Sequence, residues 1–174
     1  SDFCKRFGIH PTRKIILFAS VGDLNPSEWQ VLKDLDTAIQ EGVLPEDLTV
    51  LARHYPEKNI YTGGTEYSSN IVFDNSKVFF EKDKTYLKIL SEEMSSFTDM
   101  LFHADIVITT ASKMNTSAAV FNKPIINLAY DGWEEKSFYK SVRRFYTDAY
   151  PHHRRTFKSG GVVYAHSFDE LCKH

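Results

Sequence analysis

The residues best suited to chemistry lie where a short apolar run gives way to hydroxyls. Ile106 to Ile108 is followed by Thr109, Thr110, Ala111 and Ser112, then by Asn115, Thr116 and Ser117, and a second apolar run, Ile125 to Leu128, begins after Pro124. This order reads as strand, turn, small-residue helix, strand. The first N–H groups of such a helix have no partner within it, and its dipole puts partial positive charge at the same end, so an anion such as a diphosphate is favoured there. Ser112, Asn115, Thr116 and Ser117 would add hydroxyl and amide donors. The same residues also serve as ordinary caps. Neither a Walker A sequence nor G-x-G-x-x-G is present to make the phosphate reading specific.

Arg53 and His54 follow the apolar run Leu48 to Leu51 closely, so both are expected at the carboxyl edge of a sheet. There a guanidinium can clamp a phosphate and an imidazole can donate to it; a surface salt bridge is the equal alternative for the arginine. Ser20, Gly22 and Asp131 close other strands and, with His152 further on, are candidate substrate contacts, although Asp131-Gly132 is most simply a turn. Lys140 to Lys158 carries six lysines and arginines against the single acid Asp148, interleaved with aromatic residues and His152. Such a segment can neutralise a nucleotide diphosphate, touch anionic lipid or form a solvated face. His152 and His153 are adjacent and no carboxylate lies at ligand spacing, so no metal site is expected. No catalytic set is visible, because Ser20 has no histidine partner and Asp131 stands alone.

The elements that must position these residues alternate. Lys14 to Ser20 reads as a buried strand. Asn25-Pro26-Ser27-Glu28 reads as a cap, a first-turn proline and a capping glutamate, opening a helix with Trp29, Leu32, Leu35, Ile39 and Val43 on one stripe, closed by Gly42 and Pro45. Leu48 to Leu51 is the next strand. Between Glu57 and Asp83 the pattern weakens to a Gly63-Gly64 turn and short strands at Ile71 to Phe73 and Val78 to Phe80. From Lys84, the residues Leu87, Leu90, Met94, Phe97 and Leu101 step at helical spacing into the Ile106 strand. Glu134 to His174 reads as a helix, a basic turn, a strand at Gly161 to Tyr164 and a short helix opened by Ser167 with Glu170 three residues on. Apolar strands separated by helices predict an α/β fold: a Rossmann-like, doubly wound, mostly parallel sheet with helices on both faces, whose ligand crevice lies beyond the carboxyl ends of the strands.

A chain of 174 residues fits one domain, here 14–174 after a polar lead-in over 1–13. With 42% hydrophobic and 14% aromatic residues it is globular, and a net charge of −2 gives no general attraction to nucleic acid. Cys4 and Cys172 lack metal or redox spacing, as expected of reduced thiols in the cytoplasm. No apolar stretch approaches the ~20 residues needed to span a bilayer. No charged-then-apolar leader opens the sequence, and its Ser-Asp start reads as that of an excised piece of a larger protein.

Taken with their order, these residues resemble the C-terminal, nucleotide-binding half of GT-B glycosyltransferases, and are similar also to the CDP-glycerol glycerophosphotransferases and capsule polysaccharide transferases. The likeness runs from Lys14 to Leu171 and is carried by Arg53-His54-Tyr55-Pro56, Asp105 to Ser117, Lys123 to Asn127, Ser159 to Val162 and Ser167 to Leu171. Two departures stand out. Many GT-B enzymes place a ribose-binding glutamate seven residues before the proline, where this chain has Ser117, and the phosphotransferases tend to Arg-x-His-Pro where it has Arg53-His54-Tyr55-Pro56. The resemblance implies the donor domain of a metal-independent transferase in surface polysaccharide or cell-envelope glycan synthesis. Its nucleotide-sugar or nucleotide-polyol donor would be a substrate rather than a cofactor, held by Arg53, His54 and the Ser112 to Ser117 segment. It further implies a missing N-terminal acceptor-binding domain, an isolated domain that is inactive, and an acceptor that can be lipid-linked, bringing a cytoplasmic protein to the membrane surface. A nucleotide-sugar epimerase, or a non-catalytic binding domain keeping the fold, are the alternatives.

Overall fold

Continuous apolar runs can form strands only where both faces of a sheet are covered, and that condition sets the architecture. The computed structural model describes residues 2–54, 64–74, 79–80, 87–88, 91–147 and 150–174. Six strands, β1 (Lys14–Ala19), β2 (Leu48–Arg53), β3 (Ile71–Asp74), β6 (Ile106–Thr109), β7 (Ile125–Leu128) and β8 (Val163–Ala165), form one sheet in the order β3-β2-β1-β6-β7-β8. Every pairing in it is parallel. A separate antiparallel pair joins β4 (Phe79–Phe80) to β5 (Leu87–Lys88).

Alternation along the strands divides the core. Ile16, Phe18, Val50, Ala52, Ile108, Ile126 and Leu128 pack on one face against α2 (Glu28–Gln40) and α6 (Phe168–Leu171). Ile15, Leu17, Leu51, Val107 and Ile125 pack on the other against α1 (Asp2–Phe7), α3 (Ser91–His103) and α4 (Met114–Val120). This is the expected doubly wound α/β sheet. A 3₁₀ turn (Val142–Tyr146) and α5 (Pro151–Lys158) complete the described elements of the tail.

Local expectations needed revision where packing overrode pattern. The segment read as a polar lead-in holds α1, whose Phe3 is buried in the second core together with Ile9. Helix α2 begins at Glu28 with Ser27 as its cap residue, and the Ser27 side chain makes no capping bond. Asn25 keeps part of its expected role, its Oδ1 accepting from the Ser27 N–H at 3.4 Å, whereas Glu28 turns to Ser20 and Val21. α2 ends at Gln40, and Gly42, at φ +72°, lets the Val43 N–H reach the Ala38 carbonyl at 2.9 Å, which turns Val43 out of the stripe into solvent. Leu87 lies in a strand, paired with Phe80, so α3 starts later than its spacing predicts; Met94 is exposed, and Phe97, Met100 and Leu101 carry the packing. In the tail the basic segment contains helix α5 where a turn was expected, and the following strand lies at Val163–Ala165. The closing helix is capped as expected, Ser167 Oγ accepting from the Glu170 N–H at 3.2 Å. Tyr55, Pro56, Gly63, Val78 and Leu90 lie outside the described residues.

Candidate functional site

The chain runs from β1 outward to β2 and β3, then returns to the other side of β1 for β6, β7 and β8. At such a reversal the loops leaving the two central strands diverge to opposite faces, and the crevice between them is where open α/β sheets take ligands. In register terms Ala19 stands beside Thr109, so Ser20 to Gly22 and Thr110 to Ser112 leave the sheet at the same level. Side chains stitch the two loops: Thr109 Oγ1 donates to the Ala19 carbonyl at 2.9 Å, and Asn25 Nδ2 donates to Thr110 Oγ1 at 3.2 Å. The Asn25 amide nitrogen is thereby committed to the crevice floor, while its Oδ1 accepts from the Ser27 N–H at 3.4 Å at the entrance to α2.

The β6–α4 loop satisfies most of its own amides. Ser112 Oγ accepts from the Met114 N–H at 3.1 Å, while the Asn115 and Thr116 N–H groups donate to the carbonyls of Ser112 and Lys113 at 3.2 and 3.0 Å. The Ala111 N–H is held by the Tyr146 hydroxyl at 3.0 Å, which itself donates to the Leu128 carbonyl at 2.7 Å. Burial pushes the Tyr146 hydroxyl far above its ordinary pKa, so it stays a neutral bridge. Left over are the N–H groups of Ser112 and Lys113, which make no hydrogen bond among the described residues. Thr116 is exposed and Ser117 half-buried beside them. Asn115 faces inward, paired with Asn127 through bonds of 3.0 and 3.4 Å.

The β1–α2 loop is organised by a carboxyl group that spacing alone assigned to helix capping. Glu28 is 3% exposed. Its Oε1 accepts from the Val21 N–H at 3.0 Å, and its Oε2 lies 2.6 Å from Ser20 Oγ. Ser20 Oγ also accepts from the Gly22 N–H at 3.0 Å, across a turn that holds Gly22 at φ +61°. Burial pushes the Glu28 carboxyl up to about 8 despite these bonds.

Arg53 and His54 are at the same edge but separate. Arg53 ends β2 and His54 is the residue after it, and their contacts lie on opposite faces of the sheet. Arg53 turns toward α3, its Nη1 2.8 Å from Asp74 Oδ2 and its guanidinium over the Phe97 ring at 5.0 Å. His54 stacks on Phe73 at 5.8 Å, and burial lowers its pKa, against the opposing pull of Asp74, so the imidazole is neutral at neutral pH. Asp131 is buried and accepts from the Val142 N–H at 2.8 Å, which pins the tail segment. His152 sits in the first turn of α5. Val142 and Phe145 of that tail pack on Ala111, so the basic segment flanks the β6–α4 loop through its apolar residues.

A cavity of about 520 Å³ opens beyond the carboxyl ends of β7 and β8, lined by Asp34, Tyr130, Trp133, Arg143, His166 and Phe168 among others. Among the described residues no three His, Cys, Asp or Glu side chains cluster as metal ligands, and no helix is long and apolar enough to cross a membrane. Sequence reasoning missed three contributors. Asp74 closes a strand as Arg53 does, and that shared position was the available signal. Glu28 and Tyr146 lie 8 and 35 residues from the backbone or side-chain groups they hold, and no local pattern announces such pairs.

No protein-family model matches the chain, and no curated protein matches it by sequence. Solved structures do. The wall teichoic acid polymerase TagF superposes on 99% of this chain and 36% of its own, with a TM-score of 0.58 at 16% identity. The UDP-GlcNAc 2-epimerase from Methanocaldococcus jannaschii covers 99% of this chain and 41% of its own, with a TM-score of 0.55 at 13% identity. A UDP-N-acetylglucosamine 2-epimerase described for Listeria monocytogenes gives 0.50 at 12% identity over 99% of this chain and 37% of its own. All are GT-B proteins, and the chain has the fold of one GT-B half domain, spanning roughly two fifths or less of each structure's length.

Proposed function

We propose that this domain binds the diphosphate of a nucleotide-sugar or nucleotide-polyol donor at the β1–β6 edge, as one half of a two-domain transferase of surface polysaccharide or cell-envelope glycan synthesis. The observation that carries the reading is the pair of amides at Ser112 and Lys113 that make no hydrogen bond among the described residues, set at the topological switch point, in loops that also carry the hydroxyls of Ser20 and Thr116. Backbone N–H groups fixed at a sheet edge are suited to a phosphate anion, because they need no reorganisation as charge grows on it. In a transfer reaction they would stabilise the departing nucleotide, a nucleoside diphosphate from a sugar donor or a nucleoside monophosphate when a polyol phosphate is transferred, so the reading assigns leaving-group charge to amides rather than to a metal ion. The cavity beyond β7 and β8 has the volume for the remainder of a donor. The acceptor, soluble or lipid-linked, and its general base would belong to a partner half, and the isolated domain would bind without turning over. The GT-B half-domain fold supports this, since two of the structures it resembles are named for a UDP-linked sugar and one for a teichoic acid polymer.

Titrating UDP, CDP, GDP and ADP against the chain by calorimetry tests the reading. Lys113 has φ −60°, which proline adopts without strain, so Lys113→Pro deletes one amide proton and keeps the fold. Loss of one charge-assisted bond should weaken binding by roughly 10- to 100-fold. A response to none of the four nucleotides would favour the second reading, a non-catalytic interaction domain, whose support is Ser117 where related transferases carry a ribose-binding glutamate.

A further inference from the structure

We propose that Glu28 is a positioning residue whose carboxyl proton aims the Ser20 hydroxyl, so that this hydroxyl donates to a phosphate oxygen at the β1–β6 edge only while Glu28 is uncharged. The inference rests on the diphosphate reading of that edge.

A serine hydroxyl has one proton to give and two acceptor positions. At Ser20 one acceptor position is filled by the Gly22 N–H at 3.0 Å, and Glu28 Oε2 stands 2.6 Å away. If Glu28 is a carboxylate, Ser20 must donate its proton inward to Oε2. What it then shows the crevice is a lone pair, which an anion meets unfavourably. If Glu28 carries its proton on Oε2, that proton is donated to Ser20 Oγ, both acceptor positions are filled, and the serine proton is left to point outward. The Glu28 carboxyl is kept from rotating out of this arrangement, because its other oxygen accepts from the Val21 N–H at 3.0 Å and the residue is 3% exposed.

Burial is the leading cause that favours the neutral acid, opposed by the hydrogen bonds from Ser20, Val21 and Gly22. The charged groups on the elements packed around it are otherwise engaged or distant in role. Asp23 belongs to the loop itself; Lys136 of the tail donates to Ser27 Oγ at 2.6 Å; Asp131 accepts from Val142; and Arg143 pairs with Glu135 at 3.0 Å. A bound diphosphate would add negative charge nearby and strengthen the hold of Glu28 on its proton.

Two measurements on the whole chain decide the matter. Affinities for UDP, CDP, GDP and ADP between about pH 7 and pH 9 are compared for the wild type, Glu28→Gln and Ser20→Ala, while the Val21 and Gly22 amide resonances are followed against pH without ligand. Wild-type affinity should fall about tenfold over that interval, as a single proton with a midpoint near 8 requires. Glu28→Gln should hold the affinity seen near pH 7 throughout, since its amide donates to Ser20 as the acid does, and Ser20→Ala should be weak with a much shallower fall, the part that the Glu28 charge itself imposes on the diphosphate. The two amide resonances should titrate in the wild type and stay still in Glu28→Gln. A flat wild-type profile, or the same slope in Glu28→Gln, would overturn the role of Glu28. Amide resonances that fail to titrate while a nucleotide binds would overturn that role alone. Titrating resonances with no nucleotide bound by any form would instead remove the donor site, and this inference with it.

Discussion

The two sides of one sheet edge differ in what they do with their polar groups. On the β2–β3 side, Arg53 and Asp74 stand in register and neutralise each other at 2.8 Å beneath Phe97. On the β1–β6 side no charge pair forms among the described residues; a buried acid held neutral, a serine and two amides without partners among those residues occupy the corresponding level. The lesson is that the most conspicuous cation at the edge is spent on holding the edge together. Under the proposed reading, anion reception would fall to groups without formal charge, which carry no desolvation penalty of an isolated ion.

The largest effect should come from breaking the closed side. Arg53→Met keeps the packing on Phe97 and Met100 but removes the guanidinium paired with the buried Asp74 carboxylate, so urea unfolding should show a loss of about 3–5 kcal/mol. The double variant Arg53→Met/Asp74→Leu should recover most of it. An arginine that instead met the ligand would cost nucleotide affinity and little stability, and the contrast between the two sides would collapse.

Next comes the open side's dependence on pH. Glu28 holds its proton up to about 8 in the folded chain, against 4.5 as its ordinary value. Between those limits the folded state binds a proton that the unfolded chain has released, so stability falls as pH rises through the window and levels off above it. Denaturation midpoints of the wild type should show this decline, and Glu28→Gln should lack the Glu28 contribution to it.

The brace between the sides and the tail should matter somewhat less. Tyr146→Phe removes the donor to the Leu128 carbonyl and the acceptor of the Ala111 N–H, and thermal unfolding should report a loss of about 1–3 kcal/mol. Nucleotide affinity should not drop with it, since the variant releases a further amide toward the crevice. The smallest effect is a gain. The Tyr130 hydroxyl is a buried polar atom with no hydrogen-bond partner among the described residues, so Tyr130→Phe should raise stability by about 1 kcal/mol in the same assay.

Strand placement was legible because continuous apolar runs such as Ile15 to Phe18 can be accommodated only between two helical layers. Elements with few such residues were not. The basic tail offered no apolar stripe from which to read α5, and Leu87 fits a helical period while belonging to a strand, since a period of three or four is met by chance in short windows. At the candidate site, Ser20, Gly22, Arg53 and Ser112 were all placed at strand ends by the order of elements alone. Their partners were not, because Asp74 is 21 residues from Arg53 and Tyr146 is 35 from Ala111.

By itself, then, the order of apolar runs and helix signals determined the doubly wound parallel sheet and which strand ends share an edge, since both follow from local periodicity and the handedness of crossovers. Only the tertiary structure decided what each polar group at that edge is free to do. A hydrogen bond or ion pair depends on which side chain from a distant segment arrives first. Here Asp74 takes Arg53, Asn127 takes Asn115 and Glu28 takes Ser20. The amides of Ser112 and Lys113 are left without a hydrogen bond among the described residues.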